Sequence, residues 1–116
     1  MNVTTANVAS ALNLSDITYS ATDFILIYSL NLAANGLTRS GANLGFVAPH
    51  IGQFGNITAS SLGLNLTMHA AGSSASFASE SGKIRSQGII ALGNASASGS
   101  LAMKADSEII FDNSSP

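Results

Sequence analysis

Cysteine is absent from the 116 residues, which excludes disulfide bridges and thiolate metal sites and leaves the compartment open. Charge is scarce too. Asp, Glu, Lys and Arg make up 9% of the chain, against roughly 25% in an ordinary soluble domain. The four cations, Arg39, Lys83, Arg85 and Lys104, are scattered and the net charge is -2. A nucleic-acid partner needs several cations grouped on its phosphates and is therefore not expected. Tryptophan is missing, which removes the usual aromatic platform for sugars. The longest apolar run, Phe24 to Ala34, is broken by Ser29 and Asn31 and falls well short of the ~20 residues of a membrane helix, so no membrane span is expected. Met1 to Thr5 has neither a basic start nor a hydrophobic stretch and does not read as a signal peptide.

What is left to wet the surface is Ser, Thr, Asn and Gly. Such a neutral surface repels its own copies weakly, and a net charge near zero promotes association. A hydrophobic fraction of 46% is enough for one core in a single domain of this length. Strong helix formers are few, the whole complement of Glu, Gln, Lys and Arg being Gln53, Glu80, Gln87, Glu108 and the four cations. Long surface helices are disfavoured.

Period-two alternation dominates instead. Leu62, Leu64, Leu66, Met68 and Ala70 alternate with Gly63, Asn65, Thr67 and His69, and Ala95 to Ala105 alternates in the same way. Each reads as a strand with one face in the core and one in water. In Asp23 to Ala33, Phe24, Leu26, Tyr28, Leu30 and Leu32 share a face while Ile25 and Ile27 fill the other, the pattern of a central strand covered on both sides. Further strands are expected at 17–21, 44–48, 74–78, 83–91 and 108–111. They are separated by turn signals such as Asn35-Gly36, Ser40-Gly41, Gly72-Ser73 and Gly93-Asn94. Seven or eight antiparallel strands at this spacing predict an all-β fold, a single small β-sandwich or jelly-roll-like domain over residues 16–116.

Residues 1–15 are expected to form a separate, lightly apolar strand. Ala6, Val8, Leu12 and Leu14 share a parity and are the candidate contacts if that strand is donated to a neighbouring subunit by β-augmentation. A rival architecture is a β-solenoid. Gly55-Asn56-Ile57-Thr58-Ala59 is echoed by Gly82-Lys83-Ile84-Arg85-Ser86, and the repeated Gly-x-Ile-x-small pattern resembles the rungs of haemagglutinin-type bacterial adhesins.

Six Asn-x-Ser/Thr triplets stand out, at Asn2, Asn13, Asn56, Asn65, Asn94 and Asn113. Chance in so Ser- and Asn-rich a chain would give about two. All six are expected to face solvent, as N-glycans require. Glycans would also explain how a chain with so little charge stays soluble.

Catalytic parts are thin. His50 follows Pro49 in a loop and His69 lies on a polar strand face, with no acidic residue near in sequence. No Gly-x-Ser-x-Gly elbow or phosphate loop occurs. Asp106, Glu108 and Asp112 are close in sequence but match no calcium loop. Of the aromatics, Phe54 in its Gly-rich loop is the one expected at the surface. The sequence therefore predicts a non-enzymatic protein without cofactor. It is expected at the cell surface or outside the cell, as a subunit of a pilus- or thread-like filament that associates with itself head to tail by strand exchange. An adhesive or carbohydrate-binding module, or a capsid-type shell protein, is the alternative.

Overall fold

The computed structural model describes residues 1–3, 5–59 and 62–112, with Ala6 described by its backbone only. The chain winds in successive coils that build three sheets. The first sheet orders β1 (Asn2–Val3), β3 (Phe24–Ile27), β6 (His50–Gln53), β9 (Lys83–Ser86) and β12 (Glu108–Phe111). The second orders β2 (Ile17–Ser20), β5 (Ala42–Ala48), β8 (Leu64–Ala70) and β11 (Ser100–Ala105). The third holds β4 (Leu30–Asn31), β7 (Ile57–Thr58) and β10 (Ile90–Ala91). Every described pair is parallel. The molecule measures 39 × 35 × 19 Å, and the five strands of the first sheet, spaced about 4.8 Å apart, account for the short dimension. The winding axis therefore runs along it.

This overturns the expected antiparallel sandwich. Alternation of apolar and polar residues establishes that a segment is a half-buried strand, but it carries no information on which strand lies alongside. The parallel coils are wound as in a solenoid, but the two segments that suggested one do not stack on each other. Ile57 pairs with Leu30 and Ile90 in the third sheet, whereas Ile84 pairs with Ile51 and Ile109 in the first. The structural repeat is Phe24–Ile27, His50–Gln53, Lys83–Ser86 and Glu108–Phe111, spaced unevenly because the connections differ in length.

Stacking places like positions in columns along the axis. Ile25, Ile51 and Ile84 form one fully buried column. Leu44 and Leu66 form another, and Phe46 stacks on Met68 beside Tyr19, the two rings 5.8 Å apart. One inward column is polar in its middle, where Gln53 and Ser86 are both buried. Ser86 Oγ donates to Gln53 Oε1, and Gln53 Nε2 donates to the Gly55 carbonyl at 2.6 Å, so neither side chain is left without a partner. The corner that follows demands glycine. A Cβ on Gly88 would stand 2.5 Å from the Gly55 carbonyl oxygen, and one on Gly55 would stand 2.5 Å from the Ser29 nitrogen.

The expected single strand at 23–33 breaks at this same corner into β3 and β4. Parity changes across it, with Ile25 and Ile27 inward before the corner and Leu30 and Leu32 inward after it. That is why both faces looked apolar in the sequence. The expected strand at 74–78 is a connection instead, and 83–91 divides into β9 and β10.

Residues 5–14 are not a strand: α1 (Thr5–Leu14) is a helix. Its buried side chains Val8, Ala9 and Leu12 recur at helical spacing, and packing of that face on the core holds a helix too short to stand alone. Leu14, expected to share a face with Leu12, is 88% exposed, whereas Leu12 is fully buried. The helix packs on β5 and the Ala33–Asn35 turn and closes the core at the start of the winding. Asn13 and Arg39 fasten it. Asn13 Nδ2 donates to the Gly36 carbonyl at 2.8 Å and Oδ1 accepts from the Thr38 amide at 2.9 Å. Arg39 donates to the Leu12 carbonyl near the helix end at 3.0 Å and to Asp16 Oδ1 at 2.7 Å, a favourable place for a cation. Bonds from the Asn43 side chain and backbone, then from Arg39, hold the Asp16 carboxyl down at about 2.

Candidate assembly face

The two ends of the winding differ. At the start, α1 leaves the inward residues of β3 and β4 fully buried. At the other end β11 and β12 are the last strands of their sheets, so one edge of each backbone has no strand beside it among the described residues. Their inward side chains lose cover accordingly. Leu101 is 43% exposed where Leu66 below it is fully buried, and Phe111 is 68% exposed where Ser86 below it is 3%. Ile109 is also exposed, and Met103 and Ala105 are half-buried. The result is a row of apolar side chains, Leu101, Met103, Ile109 and Phe111, framed by two open strand edges. Such edges are templates for another strand. The sequence contained these residues, but their exposure follows from being last in a column, which no local pattern records.

The flank of the first sheet is closed over. In the connection between β8 and β9, Phe77 packs edge-on to Phe24 with ring centroids 5.2 Å apart and lies 4.9 Å from the His50 ring. Asp23 ties this connection down. It accepts from Ser74 Oγ at 2.6 Å, from the Ser76 amide at 3.1 Å and from Ser76 Oγ. These bonds, Ser74 first, lower its carboxyl to about 2. Glu80 bonds Arg85 at 2.6 Å and faces Lys83 at 3.7 Å, and the Arg85 bond lowers its carboxyl further than burial raises it.

His50 is buried under Phe77, and its Nδ1 has no hydrogen-bond partner among the described residues. His69 is half-buried on the outer face of β8, in register with Val47 and Lys104. No cluster of three or more His, Cys, Asp or Glu suited to a metal occurs among the described residues. The three C-terminal carboxylates are held separately: Asp106 accepts from the Gly72 amide at 3.2 Å, Glu108 faces Lys83 at 3.5 Å and Asp112 faces Arg85 at 3.2 Å. Phe54 is exposed, but so are Tyr28, which lies 5.8 Å from it, and Phe111. No helix among the described residues is long and apolar enough to cross a membrane.

The sequons sort by what their side-chain nitrogen does. Asn13 and Asn65 each donate Nδ2 to a backbone carbonyl, so a glycan there would compete with a bond of the fold. Asn94 is exposed in a loop, where its Oδ1 accepts from the Ser96 and Ala97 amides and leaves Nδ2 pointing to no described partner. Asn56 bonds the Ile89 amide through Oδ1 at 2.9 Å and is exposed, as is Asn2 on β1. Asn113 lies outside the described residues. Of the proposed subunit contacts, Val8 and Leu12 are core residues of α1, Leu14 is exposed, and the side chain of Ala6 is outside the described set. No protein family, curated protein or solved structure matches this chain.

Proposed function

We propose that this chain is a structural module of an extracellular surface assembly in which solenoids meet end on end. One observation carries the reading: a neutral solenoid is closed by a helix at one end and left at the other with an apolar, strand-edged coil. Residues 5–14 do not serve as a donated strand, because Val8 and Leu12 belong to the helical cap of the core. The open coil takes over the assembling role. Weak repulsion between copies of net charge -2 favours such contacts. N-glycans at Asn94, Asn56 and Asn2 would cover the flanks and leave the end face bare.

Two measurements on native material test the reading. Electron microscopy is expected to show end-on assemblies. Peptide mass mapping is expected to find glycan mass at Asn94 before Asn13 or Asn65. Unmodified chains that stay monomeric would refute it.

A further inference from the structure

We propose that the open fourth coil, formed by β11 and β12, is a two-fold interface, covered by the same coil of a second copy. The proposal rests on the end-on reading above and specifies the partner and its symmetry. The end of the winding is a face with long dimensions of 39 and 35 Å. A triangle on those dimensions covers roughly 700 Å², so two such faces in contact bury on the order of 1,400 Å², within the range of a specific stable interface.

The chemistry selects a like partner. At the opposite end α1 turns Asn7, Ser10 and Asn13 to solvent beside the exposed Leu14, a more polar and poorer match for Leu101, Ile109 and Phe111. The apolar row finds its complement in itself. β11 is the longer of the two open edges, and a two-fold axis sets it antiparallel to its copy. Residues opposite each other in an antiparallel pair share a face, so the register must be centred on a residue for the apolar side to stay inward. Centred on Ala102, Leu101 faces the partner's Met103 and Lys104 faces the partner's Ser100. Centred on Met103, the two methionines meet and Lys104 faces the partner's Ala102. Both registers keep the two lysines apart. The contact is isologous and closes at two, giving a short rod sealed by a helix at each end.

Sedimentation of the 116-residue chain across the micromolar range tests this. The expected result is a reversible dimer and nothing larger. Phe111→Asp is expected to raise the dissociation constant by more than about thirtyfold. Because Phe111 is already exposed, its far-UV circular dichroism should be unchanged, and Leu101→Asp serves as a second variant. The chain has no cysteine, so Ala102→Cys gives one reactive site per copy. A short bismaleimide should join it to itself as a covalent dimer. A chain that stays monomeric at its highest soluble concentration overturns both this proposal and the end-on reading. Open-ended oligomers that do not cross-link through position 102 overturn the two-fold interface and leave end-on stacking standing.

Discussion

Leu12 and Leu14 separate the helical cap from a donated strand more sharply than any other pair of residues. On a strand they would share a face and respond alike to truncation. On α1 the first is fully buried and the second 88% exposed. Leu12→Ala removes the outer part of a side chain enclosed by the core at the start of the winding, and truncations of that kind cost about 2–5 kcal/mol according to how far the site collapses. With an unfolding entropy of about 2.1 cal/mol/K per residue, a chain of this length loses roughly 4 °C of melting temperature per kcal/mol, so a fall of about 8–20 °C is expected. Leu14→Ala removes side chain already in water and should shift the midpoint by no more than about 2 °C, the usual range for surface substitutions. Thermal unfolding followed by circular dichroism, with both variants in one buffer, makes the comparison. Equal shifts would refute the helical cap and with it the account of which end is closed.

Two further predictions concern polar contacts. Ser86→Ala leaves Gln53 Oε1 buried without its donor and should cost about 1–3 kcal/mol. Gln53→Leu combined with Ser86→Ala should cost less than the sum of the single changes. Urea unfolding of the cycle reads the coupling, and strict additivity would refute the buried polar column. Acid should loosen the connection held by Asp23. Its folded value of about 2 lies below the ordinary 3.8, so its contribution is fully present above about pH 4 and is lost as pH falls through 2. Proteolysis within residues 71–82 should rise over that window in the native chain, and Asp23→Asn should be susceptible at neutral pH. A variant as resistant as the native chain would remove Asp23 from the role.

Much of the strand content was legible. Leu64–Ala70 and Glu108–Phe111 lie where alternation or β-propensity placed them, and their inward residues are those of one parity. What pairs with what was not legible, because alternation is a property of one strand and pairing belongs to two. The corner at Tyr28 and Ser29 was hidden for a related reason: a one-residue change of parity between β3 and β4 makes two short inward faces look like one strand covered on both sides. Helix α1 was misread because Val8 and Leu12 fit period two as well as an i, i+4 spacing. Ala9, the residue that decides between them, is small enough to pass for either face. The assembly face follows from position in the stack, so Phe111 gives no sign in sequence that it is an uncovered member of the Ile27–Gln53–Ser86 column.

The difference between the two ends also orders the molecule in time. In a stacked architecture each coil is stabilised by its own contacts and by those with its neighbours. A coil with a neighbour on both sides opens rarely, whereas one with a single neighbour frays. The first coil has α1 against it, and the fourth has no strand beside it among the described residues. Opening should therefore begin at β12 and β11 and travel inward, with amides of β5 and β6 among the last to exchange. A partner seated on the fourth coil would do more than add a contact: it would turn the quickest part of the protein into an interior one.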